Sequence, residues 1–431
     1  MTHVIYSVLL LQIYNMENVI QVQDIIKASY RLNGIVSESP LQKNLNLSDK
    51  FGANVYLKRE DLQIVRSYKI RGAYNLMVNL SQEERKKGVV CASAGNHAQG
   101  FAYSCHLLGI KGKIYMPTTT PSQKINRVKY LGKEKVTIVL FGDSFDAANA
   151  EALLCSQETG MTLVPPFDHQ LIIEGQGTVG VEILNQFKGQ IDYLFIPIGG
   201  GGLSSGVGSF FKKISPETKI IGVEPENADS MKRSVEKGTL VTLDYLDTFV
   251  DGAAVKRAGT LNFEICKQVL DDICIVAPGS LCSYILKLYN EDAIVVEPAG
   301  VLSIAALDLY ADKIKGKNVV CVVSGGNNDI ERMPDIKERS LIYEGLKHYF
   351  IVQFPQRAGA LLEFVSNVLG PNDSITYFEY GTKQKRNSGA ALVGIELKNR
   401  EDYKSLIHRM NTQNFKYTVI NKNPTLYNFL I

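Results

Sequence analysis

Lys69 stands in the run Ser67-Tyr68-Lys69-Ile70-Arg71-Gly72-Ala73, between an aromatic and an aliphatic side chain. That is a poor place for an ammonium and a good one for an amine nucleophile, because desolvation lowers a lysine's pKa. Lysine is also the side chain that holds an aldehyde as a Schiff base. Three more runs follow in chain order. Ser93-Ala94-Gly95-Asn96-His97 offers a hydroxyl, an amide and free backbone N–H groups at the expected mouth of a helix. Those groups suit a carboxylate and a phenolic oxygen. Gly199-Gly200-Gly201-Gly202, followed by Leu203, lets several N–H groups converge on one anion, as a phosphate cup does. Its spacing fits the dinucleotide pattern GxGxxG poorly, and no Walker lysine accompanies it. Ser324-Gly325-Gly326-Asn327 puts a hydroxyl at a strand end, a group able to face a heterocycle nitrogen. Taken singly, these runs also read as a surface lysine, a helix N-cap, a linker and a strand-end turn.

The elements that must position them alternate. Short apolar runs predict strands at Gly88–Ala92, Gly112–Met116, Val136–Phe141, Met161–Val164, Ile191–Ile198, Lys219–Val223, Asp272–Val276 and Val319–Val323. Helices are expected between them, among them Asn96–Leu108, Ser144–Glu158, Leu281–Tyr289 and Ala299–Tyr310. Such alternation predicts an α/β architecture with largely parallel sheets, whose ligands sit at the carboxyl ends of strands. After Asp329 the character changes. A charged helical connector runs to Ser340, and from His348 the order becomes βαββαβ, the split ferredoxin-like pattern. That tail carries no catalytic constellation, so its expected work is binding or association.

With 431 residues the chain is expected to hold two or three domains, and a hydrophobic content of 45% suits a globular protein. A formal charge of +3 without any basic block argues against nucleic acid. Seven cysteines without a CxxC pair, several in apolar contexts, read as buried free thiols of a reducing cytoplasm. The six scattered histidines give no zinc pattern. Val4–Tyr14 is apolar but short of the ~20 residues of a membrane span, and it lacks the charged start of a signal peptide. Residues 1–15 are read as a disordered leader or as the product of an upstream start codon, with Met16 the natural first residue.

A Schiff-base lysine, an anion-binding loop, a phosphate cup and a strand-end hydroxyl, in that order, are the parts pyridoxal 5′-phosphate needs. The chain here resembles the fold-type-II pyridoxal-phosphate enzymes, and most closely the biosynthetic threonine dehydratases. The likeness runs from about Ile20 to Ile431. It includes Tyr56-Leu57-Lys58-Arg59-Glu60-Asp61-Leu62, Gly175-Gln176-Gly177-Thr178, Gly222-Val223-Glu224-Pro225 and Glu297-Pro298-Ala299-Gly300. Tyr68 stands where phenylalanine is usual. The resemblance implies two open α/β subdomains within 16–335, the smaller at about 55–165, and an ACT-like regulatory domain at 340–431. It implies that Lys69 anchors the cofactor and then takes the substrate's Cα proton. Asn96 would bond the phenolic oxygen, Gly199, Gly200, Gly201, Gly202 and Leu203 the phosphate, and Ser324 the ring nitrogen. Ser93, Ala94, Gly95 and Asn96 would hold the substrate carboxylate.

The implied reaction is deamination of threonine to 2-oxobutanoate and ammonia. Serine dehydratase or racemase activity, or an amino-acid sensor that keeps the fold, are the alternatives. Related serine racemases place an acidic residue six positions after the glutamate of GVEP. Ser230 stands there, so no divalent metal of that kind is expected. Phe354-Pro355-Gln356-Arg357-Ala358-Gly359-Ala360-Leu361 resembles the start of the regulatory domain, with Ala358 where proline is common early in the helix. The resemblance implies one such domain, isoleucine or valine as effector, and a cytoplasmic homotetramer without membrane or nucleic-acid partners.

Overall fold

A computed structural model describes residues 20–355, 357–381 and 388–421. The proposed leader lies outside the described residues. The chain divides into two compact units, Met1–Ala277 with Glu291–Asn328, and Pro278–Asn290 with Asp329–Ile431.

The first unit opens with strands β1 (Leu41–Lys43) and β2 (Asn54–Arg59). The chain then leaves for β3 (Val89–Ala92), β4 (Gly112–Met116), β5 (Val136–Leu140) and β6 (Thr162–Leu163). It returns for β7 (Tyr193–Pro197), β8 (Lys219–Pro225), β9 (Asp272–Val276) and β10 (Asn318–Val323). Six strands pair in the order β1-β2-β10-β7-β8-β9, and four in the order β5-β4-β3-β6. Only the β1–β2 pairing in these sheets is antiparallel. The α/β alternation expected from the sequence is therefore present, in two largely parallel sheets.

The near-continuous apolar run of β10 follows from its place: Val319 through Val323 are buried between β2 and β7 and under both faces. This crossover carries the site. β10 lies alongside β2 in register up to Val323 and Arg59, so Ser324 and the approach to Lys69 leave the sheet at the same end. β7, on the other flank of β10, runs into the four glycines.

Two expectations change. Ala299–Tyr310 is not one helix but a turn of 3₁₀ helix at Pro298–Val301 and short helices at Leu302–Ala305 and Leu307–Ile314. The irregular start lets Gly300 approach the Gly325 carbonyl, from which an added Cβ would lie only 2.1 Å. In the tail, the first helix is Ala360–Asn367, entered through Gly359 at φ +82°. Ala358 thus precedes the helix, so a proline there would set the entering loop and not the first helical turn.

In the second unit, β11 (Lys347–Pro355), β12 (Ser374–Gly381), β13 (Ser388–Glu396) and β14 (Lys416–Val419) form an antiparallel sheet in the order β12-β13-β11-β14. Helices Ala360–Asn367 and Asp402–Thr412 close the βαββαβ unit over Phe350, Val352, Phe364, Val393, Leu406 and Met410.

Candidate active site

Lys69 is the first residue of the helix Lys69–Val78, a placement the sequence did not disclose. The residues before it are pinned to the end of β10. Ser67 pairs with Gly325, and the Tyr68 N–H donates to the Ser324 carbonyl at 3.2 Å. On its other side, the helix Asn96–Leu108 packs so closely that a Cβ on Gly100 would lie 3.0 Å from Lys69 backbone carbon. The Lys69 Nζ donates to the Pro166 carbonyl at 2.8 Å. Burial lowers its amine to about 8, against an opposing pull from the Glu297 carboxylate.

The glycines fit where side chains would not. Gly201 adopts φ +94° and caps the helix Gly202–Ile214. A Cβ on Gly200 would meet the Phe167 ring at 2.3 Å. Asn262 fastens the loop from behind, its Nδ2 donating to the Gly200 carbonyl at 2.9 Å and to the Phe167 carbonyl at 3.2 Å. Asp168 in turn accepts from the N–H groups of Thr260, Leu261 and Asn262. The N–H groups of Gly199 through Leu203 have no acceptor among the described residues. A row of unpaired donors at a helix N-terminus, backed by packed protein, is an anion site. It is the cradle a phosphate requires, so the loop fits the phosphate of pyridoxal phosphate.

Ser93 follows β3, and its Oγ accepts from the Gly95 N–H at 3.2 Å. Gly95 is the N-cap of Asn96–Leu108 and no side chain caps that helix, so neither Ser93 nor Asn96 plays the capping role that would have explained them away. The N–H groups of Asn96, His97 and Ala98 also lack protein acceptors among the described residues, and space is open where a Gly95 Cβ would stand. His97 is buried on the Val164 carbonyl, and burial with Lys69 nearby holds its imidazole down at about 3, neutral. Ser324 is buried with its Oγ 3.2 Å from the Ala299 carbonyl.

Sequence reasoning gave no role to Glu297. The structure puts its Oε1 2.6 Å from Asn96 Nδ2. Burial, with Asp251 adding, pushes its carboxyl up to about 7, while the Asn96 hydrogen bond opposes the rise. A signal existed: an acidic residue between Val295-Val296 and Pro298-Ala299 is a charge in apolar company. Pro166 and Phe167 gave none, because their contribution is a backbone carbonyl and ring shape, and Asn262 gave none because its amide meets the glycine loop only through the tertiary fold. Glu224 is buried and caps the helix Ser230–Lys237, accepting from Met231 and Lys232 N–H groups at 2.9 and 2.8 Å. Among the described residues no three His, Cys, Asp or Glu side chains converge as metal ligands.

The sequence matches the family of pyridoxal-phosphate dependent enzymes over residues 32–325, and the C-terminal regulatory domain of threonine dehydratase over 338–430. It is 58% identical to the biosynthetic L-threonine dehydratase IlvA of Halalkalibacterium halodurans, covering 96% of this chain and 99% of that one. The chain belongs to the biosynthetic threonine dehydratase family. The Bacillus subtilis member is 56% identical over 96% of this chain and 98% of its own length. Among solved structures, the processed threonine deaminase isoform 2 of Solanum lycopersicum aligns with TM-score 0.72 and 44% identity, over 76% of this chain and 88% of that one. Maize serine racemase aligns with TM-score 0.70 and 30% identity, over 75% and 99%. The threonine dehydratase family thus supplies both units of the chain, and its catalytic unit shares a fold-type-II scaffold with racemases.

Proposed function

We propose that the chain converts L-threonine to 2-oxobutanoate and ammonia with pyridoxal phosphate, as a threonine ammonia-lyase at the head of isoleucine synthesis. One observation carries the reading: a catalytic unit of the pyridoxal-phosphate family and the threonine dehydratase regulatory domain lie on one chain. When bound, the cofactor supplies an aldehyde that links to amines and a conjugated ring that accepts electrons from the substrate Cα. Lys69 would hold the aldehyde carbon, Asn96 the phenolic oxygen, the N–H groups of Gly199–Leu203 the phosphate, and Ser324 the ring nitrogen. Ser93 to Asn96 would hold the substrate carboxylate on the unpaired N–H groups of the helix mouth.

With the cofactor in place, Lys69 Nζ as a free amine would take the substrate's Cα proton. An amine at about 8 is near the working pH for a group that must accept a proton and release it again. Neutral Ser324 stabilises positive charge on a ring nitrogen less than an aspartate would, which favours loss of the β-hydroxyl over amino transfer.

We further propose that the tail binds isoleucine or valine and that the enzyme is a cytoplasmic homotetramer. Seven buried free thiols suit a reducing compartment. No described helix is long and apolar enough to cross a membrane. The tail exposes Leu361, Leu362 and Val365 on one helix and Tyr377, Phe378 and Tyr380 on edge strand β12, apolar surface suited to an aliphatic effector or a second tail. The test is release of 2-oxo acid from threonine and from serine, with and without isoleucine or valine, alongside thermal unfolding with each. Threonine turnover that isoleucine lowers is expected. Turnover of serine alone would overturn the substrate, and indifference to both branched-chain amino acids in activity and thermal stability would overturn the effector.

A further inference from the structure

The orientation of the Asn96 amide follows from a chain of hydrogen bonds that begins at a backbone carbonyl. A carbonyl only accepts, so the Asn327 atom 2.9 Å from the Val65 oxygen must be Nδ2. The second hydrogen of that nitrogen goes to Asn96 at 2.7 Å, so the Asn96 atom facing it must be Oδ1. Asn96 Nδ2 is then turned toward Glu297, whose Oε1 accepts one of its hydrogens at 2.6 Å. The other hydrogen has no partner among the described residues. Glu297 is itself seated: its N–H donates to the Gly325 carbonyl at 3.2 Å. A Cβ on Gly325 would fall 2.4 Å from Oε1, so glycine at that position makes the seat. An asparagine amide alone has two nearly isosteric orientations, one offering a donor and one an acceptor. Here the Asn327 end is fixed by a backbone carbonyl that can only accept, and the ionised Glu297 carboxylate accepts at the other end.

We propose that Asn327 and Glu297 are positioning residues that clamp the Asn96 amide so that it presents N–H, not carbonyl, to the phenolic oxygen of the bound cofactor. The proposal rests on the reading that Asn96 faces that oxygen. An amide free to flip would spend part of its time with its carbonyl against an oxygen that carries negative charge, a repulsive contact in place of a charge-assisted hydrogen bond.

The experiment is a set of pyridoxal-phosphate affinities, read by fluorescence titration and by the visible band of the bound cofactor, with thermal unfolding of each protein alongside. Asn96→Ala removes the donor and is expected to weaken cofactor binding about tenfold to a hundredfold, the range of a hydrogen bond to a charged group. Asn327→Ala is expected to weaken it about three- to tenfold, and to change it by less than about twofold when Asn96 is already alanine. Glu297→Gln keeps a carbonyl acceptor toward Asn96 and is expected to give the smallest loss, with Glu297→Ala losing about as much as Asn327→Ala. If Asn327→Ala weakens binding equally with and without Asn96, or not at all, the clamp is overturned and the reading of Asn96 stands. If Asn96→Ala leaves affinity and the visible band unchanged, that reading falls and the clamp with it. Should the Asn327 variant not fold, the Glu297 pair decides: equal losses for Gln and Ala overturn the clamp.

Discussion

Replacing Arg71 with methionine would test whether a buried charge network holds the helix that carries Lys69. The Arg71 guanidinium grips Glu60 at 2.7 and 2.8 Å and Glu182 at 2.6 and 2.9 Å. Lys58 adds a second cation, 2.5 Å from Glu182. The network is balanced, with two cations and two carboxylates, and Arg71, Lys58 and Glu60 are buried. Methionine fills much of the volume but leaves two carboxylates against one ammonium. Breaking such a pair costs about 3–5 kcal/mol, chiefly by stranding a buried charge. At roughly 2 °C per kcal/mol for a unit of this size, the melting temperature should fall by about 6–10 °C.

The pH dependence follows from Glu60. Burial pushes its carboxyl up, but Arg71 and then Lys58 outweigh burial and hold it below the ordinary range. Its stabilising contribution is therefore present above the unfolded carboxyl's value and is lost as pH falls through the folded one. In Arg71→Met burial has less opposition, so Glu60 binds a proton on folding and the variant's deficit is greatest near neutral pH and shrinks on acidification. Restoring balance with Arg71→Met/Glu60→Gln should recover part of the loss. Calorimetry of the three proteins between pH 5 and pH 8 is the assay. A double variant no more stable than Arg71→Met, or a deficit that grows toward acid, would refute the reasoning.

Other expectations are simpler. Gly200→Ala drives a methyl into the Phe167 ring, so the loop must shift, and cofactor affinity should fall by about fivefold to a hundredfold, the effect of ~1–3 kcal/mol of overpacking. Capture of pyridoxal phosphate by the cofactor-free enzyme needs the neutral Lys69 amine, so its rate should rise about tenfold per pH unit below about 8 and level off above, as stopped-flow absorbance would record. All seven cysteines are buried, and burial pushes up the thiols of Cys91, Cys105, Cys266, Cys274, Cys282 and Cys321. A thiol reagent should therefore label the native protein slowly and all seven residues only after unfolding.

The parts of the site that carry donors were legible because their residue types are unusual where they stand. A lone lysine between Tyr68 and Ile70 has an ordinary surface reading, but followed in order by the Ser93–His97, Gly199–Leu203 and Ser324–Asn327 runs it has few purely structural uses. The alternation of apolar runs likewise announced the parallel sheets, since strands buried on both faces leave continuous Val and Ile signatures such as Val319–Val323. What brings the runs together was not legible. β10 enters between β2 and β7 from far along the chain, and no local pattern records that neighbour. Phe167 and Pro166 act through ring shape and a carbonyl that any residue carries. The break inside Ala299–Tyr310 reflects Gly300 packing against Gly325, a tertiary contact that overrides good helix-forming sequence. The Asn96 orientation needs Val65, Asn327 and Glu297 at once, three segments with no common sequence signal.

Everything proposed for the site depends on Lys69 carrying the cofactor at its Nζ. Borohydride reduction of the cofactor-loaded enzyme, followed by proteolysis and mass spectrometry, tests it most directly. One phosphopyridoxyl group per chain is expected, on the peptide containing Lys69, and none in Lys69→Ala. A label on any other lysine, or an unlabelled Lys69 in an enzyme that still turns over threonine, would contradict it.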